Sequence, residues 1–101
     1  MAITVTNGSK EPFQENLRTS QVYDFLVRKN GKEIWRWSAD KGFLQVITEF
    51  TLAVGQSRQY RETWSQRDNQ ERSVPAGRYE ILSMLKTLPE RSTPTVAVEI
   101  P

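Results

Sequence analysis

The dipeptide Asn30-Gly31 stands between two runs in which apolar and polar residues alternate, Tyr23 to Lys29 before it and Lys32 to Trp37 after it. A two-residue hairpin turn of this kind needs positive φ at both central positions, which asparagine and glycine tolerate best. The pair therefore dictates two antiparallel strands and a register. Lys29 is expected opposite Lys32, Arg28 opposite Glu33, Val27 opposite Ile34, Leu26 opposite Trp35 and Asp24 opposite Trp37. That register puts Tyr23, Phe25, Val27 and Ile34 on one face, and Leu26, Trp35 and Trp37 on the other.

The same period of two runs through the rest of the chain. Ile3 and Val5 alternate with threonines and stop at Asn7-Gly8. Phe13 to Leu17 reads as a weaker strand behind Pro12. Leu44, Val46, Phe50 and Leu52 mark one face of a long strand, bulged near Thr48-Glu49, and Ser57 to Trp64 alternates again. Arg78 to Lys86 follows the turn Val74-Pro75-Ala76-Gly77, with Tyr79, Ile81 and Leu85 on one side. Thr95 to Ile100 closes the chain with Val96, Val98 and Ile100 inward. No stretch of eleven residues holds a 3.6-residue period, and nothing repeats. Turns every 8–12 residues predict an all-β fold, an immunoglobulin-like antiparallel β-sandwich of seven or eight short strands. At 101 residues the chain is expected to make a single domain, 1–101.

Composition then narrows the chemistry. There is no cysteine and no histidine, which excludes disulfides, thiolate nucleophiles, histidine metal ligands and a Ser-His-Asp triad. No cofactor is expected. Lys and Arg number 14 against 12 Asp and Glu, a net charge of +2, and the pI of 9.2 reflects the lack of groups titrating near neutrality rather than a basic surface. Neither nucleic acid nor a membrane is expected as a partner. The N-terminal Met1-Ala2-Ile3-Thr4-Val5 has no basic, then apolar, signal pattern, so the expected location is cytoplasmic.

Three sets of residues invite a functional reading. Trp35 and Trp37 form an aromatic pair that would serve as a docking surface for a protein or a sugar ring, or else fill the core. Arg58, Arg61, Arg67, Arg72 and Arg78 are interleaved with acidic residues, as on a solvated, self-paired face. The pairs Glu11 with Glu15 and Glu62 with Asp68 show no sign of converging as a glycosidase dyad would, and no enzyme is expected.

Thr19-Ser20-Gln21-Val22-Tyr23-Asp24-Phe25, the Asn30-Gly31-Lys32-Glu33 turn and Ile34-Trp35-Arg36-Trp37-Ser38 resemble the BsuPI family of bacterial intracellular proteinase inhibitors. The similarity continues through Lys41-Gly42-Phe43-Leu44-Gln45, Leu52 with Gly55, Glu62-Thr63-Trp64 and Val74-Pro75-Ala76-Gly77-Arg78-Tyr79. It implies a small immunoglobulin-like domain that inhibits an intracellular subtilisin-type serine protease by occupying or covering its cleft. Glu15 stands where the family pattern has an apolar residue, which predicts an irregular or edge strand. On this reading the segment Leu88 to Pro94 matters most, because its prolines stiffen it, Leu88 suits an apolar specificity pocket, and the imide of Pro89 resists cleavage. Leu88, Pro89, Glu90 and Arg91 are the protease-contact candidates, with the loop Gln66 to Val74 as the longer alternative. The rival function is a non-inhibitory interaction module that docks through Trp35 and Trp37.

Overall fold

A computed structural model describes residues 1–93 and 95–101. The strands are β1 (Ala2–Thr6), β2 (Phe13–Leu17), β3 (Tyr23–Lys29), β4 (Lys32–Arg36), β5 (Thr48–Leu52), β6 (Ser57–Arg61), β7 (Gly77–Leu85), β8 (Arg91–Ser92) and β9 (Val96–Ile100), with a short 3-10 helix at Trp37–Asp40. Every strand pairing is antiparallel. β4, β3, β7 and β8 form one sheet in that order, and β9 also pairs with β7. Two two-stranded ribbons, β1 with β6 and β2 with β5, make up the rest.

The core sits where ribbons and sheet meet. Ile3, Leu17, Phe50 and Leu52 from the ribbons pack with Phe25 and Leu85 from the sheet. This is the all-β sandwich that the alternation predicts. Its strands number nine among the described residues rather than seven or eight, because the last long strand is broken. β8 meets β7 at Met84↔Ser92, and β9 meets it at Ile81↔Val96. The register shifts by one residue between the two pieces, so together they read as one interrupted arm of a hairpin with β7.

At Asn30-Gly31 the turn forms with φ of 50° and 78°, and Arg28↔Glu33 and Lys29↔Lys32 pair as expected. Beyond them the expected register is wrong. Val27 lies opposite Trp35 and Leu26 opposite Arg36, with a shift between Val27 and Arg28. Ile34 is the extra residue of a bulge, and a bulge moves each later side chain to the other face. Trp35 therefore joins Val27 and Phe25 on the core side. β4 ends at Arg36, so Trp37 lies in the 3-10 helix and not on a strand.

Two other strands are shorter than the alternation predicts. The strand expected from Leu44 begins only at Thr48, and Leu44 and Val46 are exposed instead of facing the core. The strand expected to reach Trp64 ends at Arg61. β2, by contrast, keeps a regular ladder with β5 despite Glu15, which lies opposite Phe50.

Candidate functional site

The connection from β7 to β8 is short. Leu85 ends β7, and five residues, 86–90, carry the chain to Arg91. The expected free loop Leu88 to Pro94 is thus shorter. Arg91 and Ser92 belong to β8 because their backbones complete the ladder with Leu85 and Met84, and Pro94 lies outside the described residues.

Each end of this tip is fastened to a neighbouring strand or loop. The Lys86 amide donates to the Val22 carbonyl at 2.8 Å, and the Leu88 amide donates to the Asn16 carbonyl at 2.9 Å. Thr87 is buried and bridges to Leu17 of β2. Its hydroxyl donates back to the Pro89 carbonyl at 2.8 Å. The Lys86 ammonium meets the Glu90 carboxylate at 2.6 Å. The Leu88–Pro89 peptide is cis.

Arg91 anchors the far side. Its guanidinium is ion-paired with Glu15 and lies 5.3 Å from the centre of the Phe13 ring. That hydrogen bond from Arg91 is the main reason the Glu15 carboxyl is held below its ordinary value, with burial pulling the other way. The departure from an apolar residue at position 15 therefore has a local use. Of the four contact candidates, Leu88 is 41% exposed, Pro89 and Glu90 are exposed, and Arg91 is exposed but engaged. Beside them a groove of about 380 Å³ runs between Arg18, Thr19 and Gln21 on one wall and 86–90 on the other.

The tryptophans are placed differently. Trp35 and Trp37 are half-buried and pack against the core cluster. Trp37 stacks on Tyr23 at 4.7 Å, and Tyr23 stacks in turn on Tyr60 at 4.7 Å. The Lys41 ammonium caps Trp37 at 4.5 Å from its ring centre. Trp35 leans on Trp64, so the two tryptophans do not form the flat strip expected from two-residue spacing on one strand. The Tyr23 hydroxyl donates to Glu62 at 2.6 Å. Burial first, and then that carboxylate, push its pKa up to about 12.

The alternative loop, 66–74, lies against the sheet edge. Asn69 supplies both halves of a strand-like contact, accepting from the Arg36 amide at 2.8 Å and donating to the Arg36 carbonyl at 3.1 Å. Asp68 accepts from the Gln70 and Arg72 amides and pairs with the Arg72 side chain. Arg58 lies over Phe50, Arg61 bonds Gln59, and Arg67 bonds the Glu71 carbonyl. Glu15, Glu62 and Asp68 are thus each engaged with a separate partner. Among the described residues no group of three acidic side chains is placed to hold a metal ion.

Two features escape the alternation pattern. Asp24 is buried on β3 and accepts from the Phe25 amide at 2.9 Å, the Ser38 amide at 3.1 Å and the Ser38 hydroxyl at 2.6 Å. Arg36 reaches it at 3.3 Å and also pairs with Glu33, which with Asp24 raises the guanidinium's pKa. This carboxylate fastens the 3-10 helix to β3. The only sequence signal for it is an Asp in a buried strand with an Arg and a Ser downstream. The second feature is the exposed segment 44–47, where a strand was expected.

Comparison with known proteins gives one family. The model of the BsuPI family, described as intracellular proteinase inhibitor, matches residues 1–90 of the 101. No curated protein matches the chain. Among the described residues no helix is long and apolar enough to cross a membrane.

Proposed function

Because the chain belongs to the BsuPI family of intracellular proteinase inhibitors, we propose that it inhibits a subtilisin-type serine protease in the cytoplasm by occupying or covering the substrate cleft. We read the chain as one immunoglobulin-like domain, since one core cluster draws on β1, β2, β3, β5 and β7. An inhibitor of this kind performs no catalysis and needs no cofactor. It needs a segment whose bound shape exists before binding, because ordering a loose loop on association costs affinity.

The observation that carries the reading is the bracing of the 86–90 tip. Hydrogen bonds from Lys86 and Leu88 to β2 and the segment behind it, the buried Thr87 and the Glu15–Arg91 pair hold Leu88, Pro89, Glu90 and Arg91 in one shape. Leu88 stands out at its apex with an apolar side chain suited to a specificity pocket. Packing of Trp35 and Trp37 against the core favours this reading over docking through those two side chains. Titrating a purified subtilisin-type protease with the chain tests it: stoichiometric loss of activity supports inhibition, and unchanged activity at micromolar excess refutes it.

A further inference from the structure

A protein–protein complex stable enough to inhibit covers about 800 Å² on each partner, roughly 20–30 residues. The three exposed residues at the 86–90 tip fall well short of that. The surface next to the tip therefore has to contribute, and its chemistry is unusual.

Leu44, Val46 and Ile47 are 69%, 52% and 74% exposed. Three large apolar side chains within four consecutive residues exceed the scattered exposure that a monomer surface carries without consequence. The segment is nevertheless attached. The Ser20 amide donates to the Leu44 carbonyl at 2.9 Å, and the Leu44 amide donates to the Ser20 hydroxyl at 2.8 Å. Thr48 donates to the Thr19 carbonyl at 2.9 Å at the other end. Between these anchors, Gln45, Val46 and Ile47 make no hydrogen bond among the described residues, so their backbone groups are open to a partner.

Within 18–21, Thr19 and Ser20 thus bond to Thr48 and Leu44 on one side, and Arg18, Thr19 and Gln21 line the groove beside 86–90 on the other. Tip, groove and apolar segment form one continuous end of the sandwich, with Leu88 adding a fourth exposed apolar side chain. We propose that the segment Leu44–Ile47 is a second protease contact, packing on the apolar surface that flanks the substrate cleft while the 86–90 tip occupies the cleft. The inference rests on the inhibitor reading above, and it names which further surface of the chain the protease covers.

The test compares the chain with a Leu44→Ser/Val46→Ser/Ile47→Ser variant, and with Ile47→Glu alone, in titrations of a purified subtilisin-type protease. Circular dichroism and sedimentation accompany each. The expected result is a monomer for every form, an unchanged fold, and an inhibition constant about 10- to 100-fold weaker for the triple variant, carried by faster dissociation. Equal inhibition by the wild-type chain and both variants overturns the second contact and leaves the inhibitor reading standing. A wild-type dimer that the substitutions dissociate also overturns it, by showing that a second copy covers the patch. A wild-type chain that does not inhibit refutes the inhibitor reading itself, and the second contact with it.

Discussion

Arg91, at the foot of the hairpin tip, is paired with Glu15 of β2, 76 residues earlier in the chain. Glu15 sits between Phe13 and Leu17 at an inward-facing position and opposite Phe50, where an uncompensated carboxylate would be costly. The guanidinium satisfies it, covers Phe13 and ties the sheet to a ribbon.

This pair predicts an acid sensitivity. The carboxyl of Glu15 titrates below its ordinary value when folded, so its contribution is complete above the unfolded pKa and is lost as pH falls through the folded one. Arg91 is half-exposed, which limits the effect to about 1 kcal/mol or less. Glu15→Gln should lower stability near neutral pH by that amount and flatten the acid limb of the urea midpoint plotted against pH.

Asp24 should matter more. Asp24→Ala leaves the Phe25 and Ser38 amides and the Ser38 hydroxyl without their acceptor, while the Arg36 guanidinium keeps Glu33. Leaving such donors without their charged acceptor costs about 1–3 kcal/mol. Urea unfolding should show that loss, while Asp40→Ala, at an exposed pair with Lys41, should leave the urea midpoint nearly unchanged.

At the alkaline end, Tyr23 governs. Its hydroxyl holds its proton to about pH 12 when folded, whereas an unfolded tyrosine loses it near pH 10. The folded state binds the extra proton between those values, so stability falls as pH rises through that window. Absorbance titration should show a late phenol transition that Tyr23→Phe abolishes.

Much of the sandwich was legible in the residues, and the exceptions have physical causes. Asn30-Gly31 placed the β3–β4 turn correctly because φ requirements are local. It did not place the faces, because the bulge at Ile34 is set by tertiary packing: Trp35 reaches the core only if one residue is spared. Leu44 to Ile47 alternates well enough to suggest a strand, yet among the described residues no strand pairs with it. Arg91 reads as a loop residue because β8 is only two polar residues long and carries no alternation, and only its ladder with Leu85 and Met84 makes it strand. At the site, the stiffness of the tip was inferred from its prolines. In the structure it comes as much from Thr87, Asn16 and Glu15, which no local pattern links to position 88.

Leu88 provides the residue-level test of the contact. Leu88→Gly removes the apex side chain and leaves the buried Thr87 and the Glu15–Arg91 pair in place. Inhibition should weaken by about 2 kcal/mol or more, the loss expected of an anchor side chain in a pocket, with the urea midpoint nearly unchanged. Equal inhibition by this variant would remove Leu88 from the contact.

The most direct measurement is residual activity of a purified subtilisin-type protease titrated with the intact chain, followed by mass spectrometry of the mixture. The account predicts activity falling linearly to an equivalence point, with the 101-residue chain recovered uncut. Full activity at micromolar excess, or rapid digestion of the chain, would contradict it.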